Sequence, residues 1–399
     1  MDRVILHCDC NSFYASVECL LDPSLDQGPM AVCGDPDSRH GIILAKNEKA
    51  KKYGIQTAET IWQAKKKCPQ LTLVAPHRQE YARCSRQINA IYQRFTDLVE
   101  PFSIDESWLD VTHTQHLFGD GPPIADTLRK TVREEVGVTI SVGVSFNKVF
   151  AKLGSDYKKP DATTVIFRED VPRIVYPLPV TSMLMVGRSL AQTFARWGVR
   201  TIGDLARLDK NLLRTRLGKV GETVWEYANG LDDSPVRSAY EEVPAKSIGH
   251  HVTFRRNLVG WEDLQLGIYS LCDQVAARLR RHGMECQSVQ VTVKDPDFHV
   301  ITRQKALEHP TQLSRELRKA CMELLRTNWS PEKPVRMLAV TASSLQEEGE
   351  SRQISLFDTG QDQYDRLNQL EHTVDRLREK FGPQVISLAP TLEKDRNLD

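Results

Sequence analysis

Val4-Ile5-Leu6-His7-Cys8-Asp9-Cys10-Asn11-Ser12-Phe13-Tyr14-Ala15-Ser16-Val17-Glu18 opens the chain with a strand that gives way to a helix. Val4-Ile5-Leu6 is a short apolar run of buried-strand character, and Phe13 to Glu18 reads as helical. Asp9 falls just past the apolar run, where a carboxylate serves either as a helix N-cap or as a ligand. Far along the chain, Ser103-Ile104-Asp105-Glu106-Ser107 leads into Trp108, Leu109 and Val111, an apolar, strand-like segment. Adjacent acids in such surroundings repel one another unless a cation or hydrogen bonds compensate. Taken alone, an Asp-Glu pair is more often a solvated edge. Taken together, Asp9, Asp105 and Glu106 read as two halves of one site for a hard divalent ion, which takes oxygen ligands, commonly one or two carboxylates plus substrate phosphates.

The chain has 399 residues, 40% of them hydrophobic and 27% charged, the composition of an ordinary globular protein. That length predicts roughly two to four domains. No apolar stretch approaches the ~20 residues of a membrane span, and the charged start Met1-Asp2-Arg3 is no signal peptide. Cytoplasmic residence and no membrane partner are the expectations. The nine cysteines, at 8, 10, 19, 33, 68, 84, 272, 286 and 321, are odd in number and form no Cys-x-x-Cys pair, so neither a disulfide framework nor a zinc site is expected. The net charge of zero divides unevenly: residues 1–179 hold 22 Lys and Arg against 23 Asp and Glu, residues 180–343 hold 24 against 18, and residues 344–399 hold 7 against 12. A basic excess in the middle of the chain is the distribution expected when later domains grip phosphates and an earlier one carries an acidic site.

Asp9 to Glu18, Ser103 to Glu106, and Ser141-Val142-Gly143-Val144-Ser145-Phe146-Asn147-Lys148-Val149-Phe150-Ala151-Lys152 with Lys159-Pro160 beyond it strongly resemble the Y-family translesion DNA polymerases. The likeness covers about residues 1–345, and the wording around Asp9 is closer to the UmuC-like branch of that family than to the DinB branch. The resemblance implies an α+β, multidomain right-hand polymerase that copies template DNA past damaged bases with low fidelity. It further implies that Asp9, Asp105, Glu106 and the Cys10 carbonyl hold two Mg²⁺ ions, and that primer-template DNA and deoxynucleoside triphosphates are the ligands. Tyr14 matches the family's steric gate against the ribose 2′-hydroxyl, and Phe13, Asn47, Lys51 and Lys159 match its nucleotide-binding positions. This chain has Glu48 and Lys51 where the DinB-type members carry Tyr and Arg. A carboxylate beside a triphosphate is unfavourable and Lys lacks the planar fork of Arg, so triphosphate binding here either is weaker or uses Lys46 or Lys51 in another geometry.

A palm is expected from residues 1–10 and 75–167, with fingers inserted as residues 11–74. Residues 168–233 turn helical and form the expected thumb, where Gly187 and the Leu217-Gly218-Lys219-Val220-Gly221 turn resemble helix-hairpin-helix contacts to DNA phosphates. Such turns are equally at home as plain helix connections. Residues 241–343 alternate apolar and polar around two helices, as in Ser288 to Val293, and correspond to the little finger; Arg255, Arg256, Lys294 and Arg303 are its candidate phosphate contacts. In the tail, residues 344–399, Gln353-Ile354-Ser355-Leu356-Phe357-Asp358 resembles the peptide that bacterial replication proteins insert into the sliding β-clamp, with Gln353, Leu356 and Phe357 as anchors. An amphipathic helix is expected after it from the spacing of Leu367, Leu370, Val374, Leu377 and Phe381, either packed back on the body or turned to a partner. The chain is expected to be a monomer. Two rivals are a nucleotidyl cyclase, which also uses paired carboxylates, and a catalytically weak DNA-binding or scaffolding member of the same family.

Overall fold

The computed structural model describes residues 2–35, 41–349, 361–382 and 385–386. The chain divides into two compact units, residues 1–242 and 243–399.

The first unit begins with β1 (Ile5–Cys10), α1 (Phe13–Leu21), β2 (Met30–Cys33), β3 (Ile43–Lys46), α2 (Glu48–Lys51), α3 (Ile61–Lys67) and β4 (Thr72–Val74). It continues through α4 (Arg78–Tyr92), β5 (Val99–Pro101), β6 (Glu106–Asp110), α5 (Gln115–Phe118), α6 (Gly121–Glu135), β7 (Ile140–Ser145), α7 (Lys148–Tyr157) and β8 (Thr163–Ile166). One five-stranded sheet has the order β5-β6-β1-β7-β8, antiparallel except for the β7–β8 pair. All six residues of β1 are buried because it runs through the middle of the sheet with both faces covered. Leu6, Cys8 and Cys10 pack with α4 and α6, whereas Ile5 packs with Trp108 and with Ala151 of α7. The period of two therefore turns Ile5, His7 and Asp9 toward α7. Gly143 on β7 permits the close seating of that helix, since a Cβ there would lie 1.9 Å from the Ala151 carbonyl oxygen. A three-stranded sheet, β3-β2-β4, forms a separate small core of Ala31, Cys33, Ile43, Ala64 and Cys68 beneath α3, which starts with a Thr60–Gln63 capping box.

The rest of this unit is helical: α8 (Arg188–Arg196), α9 (Ile202–Ala206), α10 (Lys210–Leu217) and α11 (Lys219–Ala228) close around Phe194, Ile202, Leu205, Leu213 and Val224. Thr201 and Asp204 cap α9 reciprocally.

The second unit comprises β9 (Ser247–Leu258), α12 (Gly260–Arg281), β10 (Met284–Lys294), β11 (Val300–Thr311), α13 (Ser314–Asn328), β12 (Val335–Glu347) and α14 (Gln361–Phe381). Its four strands are antiparallel in the order β11-β10-β12-β9. Helices α12 and α13 cover one face through Leu271, Val275, Leu279, Leu317 and Leu325. The tail helix α14 packs back on this body. Its Glu371 and Asp375 pair with Arg280, whose side chain is only 2% exposed, with 2.6 Å from Arg280 Nε to Asp375 Oδ2. Glu371 also accepts from the Ser314 backbone N–H at 3.1 Å, capping α13, whose own N-cap Leu313 offers no side-chain acceptor. All nine cysteines are free. Among the described residues, no helix is long and apolar enough to cross a membrane.

Candidate active site

The two acidic segments meet because β1 pairs with β6 in a register that sets Asp9 opposite Glu106 and His7 opposite Trp108. The Cys10 N–H donates to the Asp105 carbonyl at 3.0 Å and fixes the turn before β6. Asp9, Cys10, Asp105 and Glu106 thereby line one open cavity of about 410 Å³ together with Phe13, Tyr14, Leu44, Ala45, Lys46, Lys51 and Lys159.

The charges here are unequally compensated. Burial pushes the Asp9 carboxyl up to about 6, and the attraction of Lys159, 2.7 Å from Asp9 Oδ2, offsets only part of that rise. Glu106 is also penalised by burial, but hydrogen bonds with His7 and Lys152 outweigh the penalty and hold it down at about 2. Lys152 reaches it from α7, and His7 Nε2 lies 3.2 Å from Glu106 Oε2. Asp105 accepts from the Ser103 hydroxyl at 2.6 Å. A divalent metal fits this donor set: the three side chains are hard oxygen ligands, and a buried Asp9 held near 6 marks a position where positive charge is short. The carboxylate oxygens do not gather as tightly as the ligand atoms of half-buried Asp295 and exposed Asp297 and His299 at the β10–β11 hairpin, which lie within 4.8 Å of one another.

The far wall differs from the expectation in one residue. Asn47 does not line this cavity. It is buried as the N-cap of α2, accepting from Ala50 N at 2.9 Å and Met30 N at 3.2 Å and donating to the Gly28 carbonyl at 2.8 Å, so its carbonyl oxygen and one of its two amide donors are committed to the fold. Glu48 accepts from the Ser12 hydroxyl at 3.1 Å and from Lys51 at 2.5 Å. Ser12 sits at φ 49° before α1 and makes no side-chain cap, which leaves the first-turn N–H groups of α1 without that acceptor. Tyr14 stacks on Tyr81 of α4, with centroids 4.2 Å apart and planes 12° apart.

The expected phosphate contacts are spread out. Gly187 is the N-cap of α8 and has open space where a Cβ would stand, Gly218 forms the α10–α11 turn at φ +65°, and Gly221 is buried against the Leu213 carbonyl. On the four-stranded sheet, Lys294 pairs with Val300 and Met337 on the face away from the helices, and Arg255, two residues from Thr253 on that face, is exposed. Arg303 stands opposite the core residue Val291 and donates to Asn328 of α13 at 2.9 Å. Arg256 is tied to Asp263 of α12 at 2.5 Å and 2.9 Å. Those two arginines therefore turn to the helix layer, the side opposite Arg255 and Lys294. Gln353, Leu356 and Phe357 lie outside the described residues. His7, Lys152, Glu18 and Tyr81 were not singled out from sequence as parts of the site; a polar residue two positions before Asp9 and a Glu four positions after Tyr14 were the available signals.

Comparison with known proteins matches the impB/mucB/samB family over residues 8–156 and the C-terminal domain of that family over residues 245–356. A DNA polymerase IV from Acetivibrio thermocellus is 47% identical over 399 residues, 100% of both chains, and one from Pelotomaculum thermopropionicum is 38% identical over 97% of this chain and 95% of the other. The chain belongs to the Y-family DNA polymerases. It is a translesion DNA polymerase that acts on template DNA and deoxynucleoside triphosphates, in a family that uses divalent metal ions. A solved Y-family DNA polymerase chimera superposes with a TM-score of 0.78 over 86% of this chain and 100% of that one, at 23% identity, which confirms the α+β polymerase fold. The relatives' shared name places this polymerase with the DinB type, against the UmuC-like leaning of the Asp9 wording. Neither the cyclase reading nor the weak scaffolding reading is favoured.

Proposed function

We propose that Asp9, Asp105 and Glu106, with the Cys10 carbonyl, hold two Mg²⁺ ions for nucleotidyl transfer. The observation that carries this reading is the β1–β6 register, which sets Asp9 beside Glu106 and the Asp105 turn on one cavity wall. The ions would lower the pKa of the primer 3′-hydroxyl and neutralise the triphosphate and the leaving pyrophosphate. The protein's own groups bind and orient. Lys159 and Lys51 offer point charges to the triphosphate, and the uncapped N–H groups at the start of α1 offer it backbone donors. Leu44 and Ala45 give the nascent base pair a small apolar wall. Tyr14 is the steric gate, its ring placed to collide with a ribose 2′-hydroxyl.

The residue ranges assigned from sequence to palm, fingers, thumb and little finger are retained, with Gly187, Gly218 and Gly221 near one DNA strand and Arg255 and Lys294 near another. The polymerase acts as a cytoplasmic monomer and engages a sliding β-clamp through Gln353, Leu356 and Phe357. Primer extension with Mg²⁺ and each deoxynucleoside triphosphate tests the core of the reading. Wild type is expected to extend roughly 10²- to 10³-fold faster than Asp105→Ala, a loss of the size that follows removal of a group acting on transition-state charge. Equal extension by the two proteins would reject the metal assignment.

A further inference from the structure

Tyr14 makes no side-chain hydrogen bond among the described residues, so its hydroxyl does not anchor the ring. What holds the ring is Tyr81. Tyr81 is fully buried, and its ring lies nearly parallel to that of Tyr14. The Tyr81 hydroxyl is fixed in turn: it donates to Glu18 Oε1 and accepts from the His77 backbone N–H at 3.1 Å. Glu18 is 1% exposed and has a second partner in His77 Nδ1, 2.9 Å from Oε2.

Glu18 stands four residues after Tyr14 on α1, on the same helical face. Tyr14, Tyr81 and Glu18 therefore form a closed triangle: one side is the α1 backbone, one is the ring stack, and one is the hydroxyl–carboxylate bond. Burying a carboxylate costs free energy unless its hydrogen bonds are made, and here they go to the Tyr81 hydroxyl and to His77 at the start of α4, fixing the Tyr81 ring and the helix that carries it. Phe13 borders the same ring at 6.4 Å with a 58° tilt, which confines it from another side.

We propose that Tyr81 is a positioning residue for sugar selection, holding the Tyr14 ring at the place where a 2′-hydroxyl would collide with it. The inference rests on the gate reading of Tyr14. A ring free to swing aside admits a ribonucleotide, whereas a stacked ring does not.

The test is the ratio of kcat/KM for a deoxynucleotide to that for the matching ribonucleotide, measured on wild type, Tyr14→Ala, Tyr81→Met and Tyr81→Phe, with Tm recorded for each. Met conserves much of the volume without a ring to stack. Tyr14→Ala should collapse the ratio. Tyr81→Met should lower it roughly two- to tenfold, the range that a lost aromatic stack carries. Tyr81→Phe keeps the stack and should stay near wild type even where its Tm falls, a separation that a merely structural role would not produce. Tyr81→Leu serves if the Met variant does not fold. A wild-type ratio in Tyr81→Met beside a collapsed ratio in Tyr14→Ala overturns the inference and leaves the gate intact. An unchanged ratio in Tyr14→Ala overturns both.

Discussion

At the scale of single residues, two of the carboxylates proposed as metal ligands pull the stability of the fold in opposite directions. Asp9 titrates at about 6 in the folded, metal-free chain, above its ordinary 3.8, because burial outweighs Lys159. An acid raised by folding binds more protons native than unfolded between those values, so at neutral pH it opposes folding, and the opposition fades as pH falls through 6. Glu106 is the reverse. It is held at about 2 against an ordinary 4.5, so its stabilisation is complete above 4.5 and is lost as pH falls toward 2. Displacements of this size correspond to roughly 3 kcal/mol each as upper bounds. In chelator-treated protein at pH 7, Asp9→Asn should therefore unfold at higher denaturant than wild type, and Glu106→Gln at lower, while both lose primer extension. The gain at Asp9 will be trimmed because Lys159 is left with Asp156 alone, 2.8 Å away. If Asp9→Asn proves the less stable of the two, the unequal compensation described for the site is wrong. A site that destabilises its fold until charge arrives is the usual bargain of a preorganised centre.

At the scale of elements, the acids were legible in sequence because they sit at the ends of recognisable strands, whereas their partners were not. Lys152 reaches Glu106 because α7 beds against β7 at Gly143, a crossing that no local pattern announces, and His7 reaches it through the β1–β6 register. Sheet faces were harder still. Neighbours in a strand point to opposite faces, so Arg256 leaves the face of Arg255 and Lys294 for the side of the core residues Phe254 and Leu258, and Arg303 shares that side through its partner Val291, which only the pairing reveals. Asn47 resembles a family nucleotide position by wording, yet its neighbours demand an N-cap. The glycines of the helical region divide by the same logic. A Cβ on Gly221 would lie 2.3 Å from the Leu213 carbonyl oxygen, so Gly221→Ala should force α10 and α11 apart and cost about 1–3 kcal/mol in urea unfolding. Gly187 has a φ of −78° and nothing within 4 Å of an added Cβ. Gly187→Ala should leave stability within about 0.5 kcal/mol of wild type. If a phosphate approaches that backbone closely, primer-template affinity should drop; unchanged affinity removes Gly187 from the DNA-binding set.

At the scale of the whole chain, the position of the clamp-like peptide makes the tail separable by experiment. Residues 353–358 fall between β12 and α14, both of which belong to the second unit. Helix α14 is not a loose extension, because it supplies the two carboxylates of the buried Arg280 and the cap of α13. Removing one side of a buried ion pair leaves an uncompensated charge and costs about 3–5 kcal/mol. Truncation after residue 349 should therefore lower the stability of the second unit and weaken DNA binding with or without a clamp. Replacing Leu356 and Phe357 with Ala leaves Arg280 its partners, so melting and distributive synthesis should match wild type while stimulation by a loaded sliding clamp disappears. The apolar pair would fill a pocket on the partner, the kind of anchor that carries most of a small interface's energy. Processive synthesis measured on clamp-loaded primed DNA distinguishes the two variants. Full stimulation of the double-alanine protein would retire the clamp assignment, and a truncated protein as stable as wild type would show that α14 contributes nothing to the fold that Arg280 requires.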